Sequence, residues 1–237
     1  MPRKGLNLSI TRESLPRYGK GRTVASEMRY SSAALSGLVV MDASVFDDIE
    51  KDMENLRRKA ALVSQTLQKA GVPHAVAGGL AVAAHVRSVN PYAVRNTGDL
   101  DLLLDPHDFD RAGEALKALH YRYRKVLGIS IFARKGEKFE EAVHIVRAGE
   151  KVRPEYLQPA PDVPRALKFV GGEGFVCLDL ARLVTMKLTS FRHKDIVHVQ
   201  DLLKVGLITK KVASALPANL LDRLEYVKEE TKREYPG

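Results

Sequence analysis

The 237-residue chain contains little cysteine and no long hydrophobic stretch. Its single cysteine, Cys177, excludes an internal disulfide framework. The apolar run around this thiol, residues 175–178, predicts a buried side chain rather than a nucleophile. No apolar run approaches the roughly 18 residues of a membrane span, and the first residues lack the apolar core of a secretory signal. We therefore expect a cytoplasmic protein that has no membrane partner.

Negative charge is also in short supply. The chain has 38 Lys and Arg against 29 Asp and Glu, a formal net charge of +9. Residues 1–41 hold seven basic residues and two acidic ones, and residues 117–138 hold seven and one. Basic segments attract polyanions, so a nucleotide, RNA or tRNA is an expected partner. The alternative is a charge that serves solubility alone, because few aromatic residues accompany the basic ones.

The most informative stretch is residues 74–105. It reads as a short apolar strand over 74–77, the pair Gly78-Gly79, an alanine-rich helix over 80–85, a loop, and a second strand that carries Asp99 and Asp101. Side chains alternate along a strand, so both carboxylates are expected on one face and Leu100, Leu102 and Leu104 on the other.

Two neighbouring carboxylates repel each other, and a cation usually neutralises such a pair. Mg²⁺ is the expected ion because it binds one or two carboxylates together with substrate phosphates and water. The glycine pair lets the backbone approach a ligand and direct N–H groups at it. Together, Gly78, Gly79, Asp99 and Asp101 predict a site for a phosphate-bearing substrate.

This arrangement resembles the nucleotidyltransferase superfamily, in which a Gly-Gly or Gly-Ser pair is followed by Asp-x-Asp in a hydrophobic strand. The preceding run, residues 95–98, makes the pattern Arg-x-Thr-x-Asp-Leu-Asp look most like the stand-alone AbiEii-toxin-like group. The resemblance extends over residues 44–207. It implies an α/β (α+β) fold with a mixed twisted sheet, flanking helices and a C-terminal helical part.

The resemblance also implies an activity and a set of site residues. The activity is transfer of a nucleoside monophosphate from a nucleoside triphosphate to a hydroxyl of RNA, protein or a small molecule, with Mg²⁺ or Mn²⁺. A catalytically degenerate protein is the alternative, acting as a nucleotide or RNA binder or paired with an antitoxin. Asp99 and Asp101 would be catalytic and bind the metal. The implied nucleotide-binding residues are Gly78, Gly79, Arg95, Thr97, Lys187 and Asp195.

The family's third carboxylate is replaced here. Its hydrophobic-Asp-hydrophobic triplet corresponds to residues 143–145, which place His144 at the aspartate position. Histidine could bind a metal or accept the proton of the attacking hydroxyl. Glu140 would lie on the same face of a strand predicted over 139–146, but about 13 Å away. The third possibility is that the catalytic base is missing.

Lys187 and Asp195 lie in or between two predicted helices, one over residues 178–191 and one over 196–205. The pattern of Lys187, Arg192, Lys194-Asp195 and Asp201 resembles the helical motifs of AbiEii-like transferases, where the lysine meets nucleotide phosphates and an acidic residue orients it. Alternatively, Lys187 extends to solvent and Asp195 caps the second helix.

The remaining pattern predicts three regions. Residues 1–43 are expected to form a basic, partly ordered arm with a short strand at 38–41, either contacting a partner or simply mobile. Residues 44–178 form the nucleotidyltransferase-like core, which begins with a long amphipathic helix up to Ala70 and includes strands over 121–126 and 129–133. It ends in a loop over 152–174 and an edge strand over 175–178. Residues 179–237 form a helical region.

Overall fold

The computed structural model describes residues 43–164, 169–170 and 172–234, without the side chains of residues 43–47. The chain divides into two compact units, residues 1–48 and 49–237. Of the first unit, only residues 43–48 are described, and they are helical. The predicted basic arm and its strand at 38–41 lie outside the described residues.

Helices and strands alternate at the start of the second unit, three consecutive strands come next, and the remaining described elements are helices. Short 3₁₀ turns lie at Pro91–Ala93, Pro106–Asp108 and Ala218–Leu220. In chain order the elements are α1 (Ala43–Lys69), β1 (His74–Ala77), α2 (Gly78–Arg87), β2 (Leu100–Leu104), α3 (Phe109–Lys117), β3 (Arg122–Val126), β4 (Ile129–Ala133), β5 (Val143–Arg147), α4 (Leu180–Ser190), α5 (His193–Lys204), α6 (Lys210–Ser214) and α7 (Leu221–Glu234).

The five strands form one sheet in the order β1-β2-β5-β4-β3. β2 and β5 pair in parallel, and the other neighbours are antiparallel. The predicted α/β fold with a mixed sheet and flanking helices is therefore confirmed. Two strand limits differ from the prediction: β2 begins after Asp99, and β5 begins only at Val143 because residues 138–142 form turns.

β2 crosses the centre of the hydrophobic core. Its four leucines are at most 1% exposed, and Asp101 is the one partly exposed residue in the strand. The apolar stripe of α1 contributes Ala60, Val63 and Leu67 to the same core. A central strand buried on both faces must satisfy any polar side chain locally, so Asp101 marks where the core opens towards a site.

The predicted edge strand over 175–178 is a bridge beside β1 rather than a full strand. Val76 N–H donates to the carbonyl of Val176, and Leu178 N–H donates to that of Val76. Cys177 is buried in this segment, and burial raises the pKa of its thiol to about 12. The predicted burial of this side chain is confirmed. Within the described ranges, the structure has no helix long and apolar enough to cross a membrane.

Candidate active site

The glycine pair lies where β1 turns into α2, and two side chains occupy the space above it. Gly78 has a φ of +66°, and a Cβ there would lie 1.9 Å from Oδ2 of Asp101. A Cβ on Gly79 would lie 2.6 Å from Oγ1 of Thr97. Real Cβ atoms do not approach other atoms this closely, so a larger residue at either position would force the neighbouring side chain to move. The carboxylate of Asp101 faces the Gly-Gly turn, where the sequence predicted a ligand cradle.

The carboxylate of Asp101 has no hydrogen-bond donor among the residues that the structure describes. Burial raises its pKa above the usual value, Lys187 opposes that shift, and the negative charge of Asp99 adds to it. Asp99 directly precedes β2 and its side chain is 42% exposed, with Nζ of Lys194 3.9 Å from Oδ2. An unpaired, partly buried carboxylate beside a second one favours binding of a cation.

His144 lies next to Asp101 in the sheet. The two residues are paired in the parallel register of β2 and β5, so their side chains project from the same face about 5 Å apart along the sheet. Nε2 of His144 donates to the carbonyl of Phe139 at 2.9 Å, and the two rings pack at a centroid distance of 4.8 Å. The predicted strand position of Glu140 is wrong, because Glu140 is an exposed turn residue before β5.

Lys187 is buried and does not extend to solvent. Its Nζ donates to Oδ1 of Asp195 at 3.1 Å, and Asp195 is fully buried. The other carboxylate oxygen accepts hydrogen bonds from Ser190 at 2.8 Å and from Nε of Arg192 at 2.7 Å. The alternative in which Lys187 reaches solvent is therefore wrong. Asp195 also accepts from the Arg192 backbone N–H, so it caps α5 and pairs with Lys187 at once.

The charges of Lys187 and Asp195 each oppose the effect of burial on the other's pKa. Burial alone would raise the pKa of Asp195, but the hydrogen bonds from Arg192 and the charge of Lys187 lower it to about 2. Burial lowers the pKa of Lys187, and Asp195 opposes this shift, followed by Asp101. The ammonium of Lys187 thus acts on carboxylates from α5 and from β2. A lysine held in place by Asp195 and acting on Asp101 suits a phosphate-bearing ligand nearby.

Arg95 contacts helix α5. Its Nε donates to Oδ2 of Asp201 at 2.6 Å, and the Asp201 side chain is 9% exposed. The loop that follows is anchored on the other side, where the backbone N–H of Thr97 donates to Sδ of Met53 at 3.2 Å. These contacts hold the loop that leads into Asp99. The nucleotide-binding roles of Arg95 and Thr97 stay predictions.

His198 joins the site although the sequence pattern did not single it out for this role. Its Cε1 lies 3.5 Å from the position that a Cβ on Gly79 would occupy. Burial and the nearby charge of Lys187 lower its pKa to about 4, so the ring is neutral at pH 7. A signal was present in the sequence, since His198 follows Asp195 by three positions and therefore shares its face of α5.

The carboxylates of the site suit a hard cation that takes only some of its ligands from the protein. Throughout the part of the chain with described coordinates, no cluster of three or more His, Cys, Asp or Glu is arranged to hold a metal. Asp99 and Asp101 provide two carboxylates, and Mg²⁺ commonly takes its other ligands from water and substrate phosphates. The residues present fit such an ion.

Comparison with known proteins finds similar solved structures but no matching family or curated sequence. Neither protein-family models nor curated protein sequences match the chain. Among solved structures, antibiotic-resistance factor ANT(2'')-Ia is similar with a TM-score of 0.47 and 14% identity, over 78% of this chain and 99% of that one. A nucleotidyltransferase-like antigen of Paracoccidioides brasiliensis gives 0.41 and 20%, over 75% and 92%.

The polyadenylate synthase of Megavirus is a third similar structure, with a TM-score of 0.38 and 11% identity over 76% of this chain and 35% of that one. Identities and TM-scores in this range do not transfer a substrate or an activity. The function proposed below therefore depends on the geometry of this chain's own residues.

Proposed function

We propose that this chain is a metal-dependent nucleotidyltransferase of the nucleotidyltransferase superfamily, which moves a nucleoside monophosphate from a nucleoside triphosphate such as ATP to a hydroxyl acceptor. The observation that carries the proposal is the carboxylate of Asp101, which lies over Gly78 without a hydrogen-bond donor from the described residues and beside Asp99. A purely structural aspartate at such a position would be expected to have its own donors.

Mg²⁺ or Mn²⁺ would be held by Asp99 and Asp101. When bound there, the ion supplies charge stabilisation for the phosphoryl group and a lowered pKa for the acceptor hydroxyl. The two side chains differ in their surroundings, since Asp99 is half exposed and Asp101 is enclosed by the Gly78 turn. Their mutual repulsion disfavours the pair without a cation, which favours entry of the nucleotide together with its metal.

The chain's own residues would position the triphosphate. Backbone N–H groups in the first turn of α2, which no side chain caps, would donate to phosphate oxygens. Lys187 supplies a fixed positive charge, and Asp195 holds that charge in place through a 3.1 Å ion pair. Lys194, whose Nζ lies 3.9 Å from Asp99, adds an exposed cation at the rim.

His144 is the proposed acceptor of the proton from the attacking hydroxyl. Its Nε2 donates to the Phe139 carbonyl, so Nε2 carries the proton of the neutral ring and Nδ1 keeps the lone pair. The contact with Phe139 fixes the ring orientation, as a general base requires. His144 thus combines the sheet position beside Asp101 with a nitrogen able to accept a proton.

RNA is the acceptor class that the charge distribution supports. Neighbouring strands pair Asp101 with His144 of β5, His144 with Ile131 of β4, and Ile131 with Arg124 of the edge strand β3. Arg122 and Arg124 therefore share the sheet face of Asp101. Both are exposed, and neither forms an ion pair with a described residue. A polyanion lying along this row would reach the carboxylates.

The same proposal includes the finer features that the AbiEii-like resemblance implies. These are membership of that stand-alone group, tRNA as the particular RNA, a cytoplasmic location and pairing with an antitoxin protein. Their support is the motif of Arg95, Thr97, Asp99 and Asp101 together with the basic composition.

Incubation with each labelled nucleoside triphosphate, Mg²⁺ and total tRNA tests the activity. We expect labelled RNA with the wild-type chain and with Asp110→Asn, a control at an exposed aspartate of α3. Asp101→Asn should give no transfer, because it removes one of two proposed metal ligands. No labelled product from the wild-type chain with any nucleotide would contradict the proposal and favour the nucleotide- or RNA-binding alternative.

The acceptor surface has a separate test in RNA binding at several salt concentrations. The pair Arg122→Ser and Arg124→Ser should weaken binding and reduce the slope of log K against log salt by about 1.4, as expected for two lost contacts with single-stranded phosphates. Lys210→Ser with Lys211→Ser makes the same charge change at exposed positions of α6. Equal effects of the two double variants would contradict the β3 surface.

A further inference from the structure

His198 lies at the edge of the proposed nucleotide site, with one ring nitrogen that the protein leaves unsatisfied. Nδ1 of His198 is buried and has no hydrogen-bond partner among the described residues. Nε2 is not enclosed in this way and also forms no hydrogen bond with described residues. Buried polar atoms in folded proteins nearly always have a partner, so an exception at a glycine-lined turn points to function.

The ring is positioned against the backbone of Gly79. Its Cε1 lies 3.5 Å from the point where a Cβ on Gly79 would sit, and Oγ1 of Thr97 lies 2.6 Å from the same point. His198 and Thr97 therefore approach the second glycine of the pair together. Because Cε1 is bonded to both ring nitrogens, Nδ1 and Nε2 lie on either side of this contact.

The charges around the ring keep it neutral. The groups that act on it are Lys187 from α4, Lys194 and Asp195 from its own helix, and Arg95 from the loop before β2. Three of the four are cations, and together with burial they oppose protonation. A neutral imidazole carries one proton, and the enclosed Nδ1 without an acceptor is the less favourable place for it. We assign the proton to Nε2.

We propose that His198 is a positioning residue that donates a hydrogen bond from Nε2 to a phosphate oxygen of the nucleotide held at Gly79. This inference rests on the proposed nucleotidyl transfer and adds a residue to it. Lysine supplies charge with little directional control, whereas a neutral N–H donor on a packed ring fixes one oxygen in direction without adding repulsion to the three neighbouring cations.

Calorimetric titration with a non-hydrolysable nucleoside triphosphate analogue and Mg²⁺ tests the inference. His198→Leu removes the donor, and we expect the Kd for the analogue to rise about tenfold. His198→Gln places an amide N–H near the position of Nε2, and its Kd should stay within about threefold of the wild-type value. His193→Leu, at an exposed position of the same helix, should leave the Kd unchanged.

Thermal unfolding of the same variants separates binding from structure. A binding role predicts that His198→Leu unfolds at the same temperature as the wild type or higher, because an unsatisfied buried nitrogen is removed. In transfer assays, the KM for the nucleotide should rise in His198→Leu while kcat changes less.

A Kd for His198→Leu within twofold of the wild-type value would overturn the inference. Equal weakening in the Leu and Gln variants with a fall in melting temperature would also overturn it. If the wild-type chain itself binds no analogue, the proposed function fails, and the role of His198 fails with it. If the wild type binds and Asp101→Asn abolishes transfer while His198→Leu binds normally, only the role of His198 fails.

Discussion

Replacing Gly78 by alanine tests the central contact of the site. The new Cβ would lie 1.9 Å from Oδ2 of Asp101, so the carboxylate would have to move by roughly 1 Å to reach an allowed contact distance. Asp101 has a short side chain on a central buried strand and has little freedom to move. The backbone adds a second penalty, because φ at Gly78 is +66°, where a side chain is strained.

The expected loss of stability combines these two effects. A non-glycine residue in the left-handed region costs about 1–2 kcal/mol, and forcing an extra carbon into a packed region costs about 1–3 kcal/mol. We expect Gly78→Ala to lower the free energy of unfolding by about 2–5 kcal/mol in urea titrations. Gly206→Ala is the matched control, since φ is +74° there and a Cβ would meet nothing within 4 Å. It should lose only the backbone part.

In Gly78→Ala, we expect most of the transfer activity to be lost although the variant still folds. A displacement of about 1 Å in a reacting group can reduce rates by roughly 100-fold, so transfer should drop at least that much while the variant stays folded. In an Asp101→Ala background, Gly78→Ala should cost about 1–3 kcal/mol less, because the carboxylate is gone. If Gly78→Ala is no more destabilising than Gly206→Ala, Asp101 does not lie over the glycine turn.

Three further predictions concern buried groups. Asp195→Asn should lower the free energy of unfolding by about 3–5 kcal/mol because Lys187 loses its buried carboxylate. Lys187→Met should cost less because Asp195 keeps its donors Ser190 and Arg192. A larger loss in Lys187→Met than in Asp195→Asn, measured by urea titration, would contradict this prediction. The pKa of His198 is lowered to about 4, so the unfolded chain binds more protons than the folded chain between about pH 4 and 6.5. Acidification from pH 7 to 4.5 should therefore destabilise the wild type by about 2–3 kcal/mol more than His198→Leu in urea titrations. Equal losses in the two proteins would refute this prediction. Cys177 should not react with a thiol reagent at pH 8 until urea unfolds the chain, since its pKa is about 12 and it is buried, and rapid labelling of the native protein would contradict its placement.

Much of the fold follows from local patterns in the chain. The strand His74–Ala77, the strand Ile129–Ala133 and the helices on either side of Arg192 lie where apolar periodicity, glycines and capping residues place them. These signals are local, so they survive in a single sequence. The strand start at Val143 was missed because residues 139–142, which the sequence pattern assigned to the strand, form hydrogen-bonded turns instead.

The residue types of the site were also evident from the sequence, because two aspartates separated by one residue and preceded by a glycine pair are an uncommon combination. The sequence alone determined that Asp99, Asp101, the glycines and Lys187 are the residues to consider. Only the tertiary structure decided that Lys187 is buried on Asp195, that Asp101 covers Gly78, and that His198 approaches Gly79. The physical reason is that these contacts join separate elements: Asp101 of β2 and His198 of α5 approach the glycine turn, and Lys187 of α4 pairs with Asp195 of α5. Packing of the helices against the sheet sets such distances, and no local spacing encodes them.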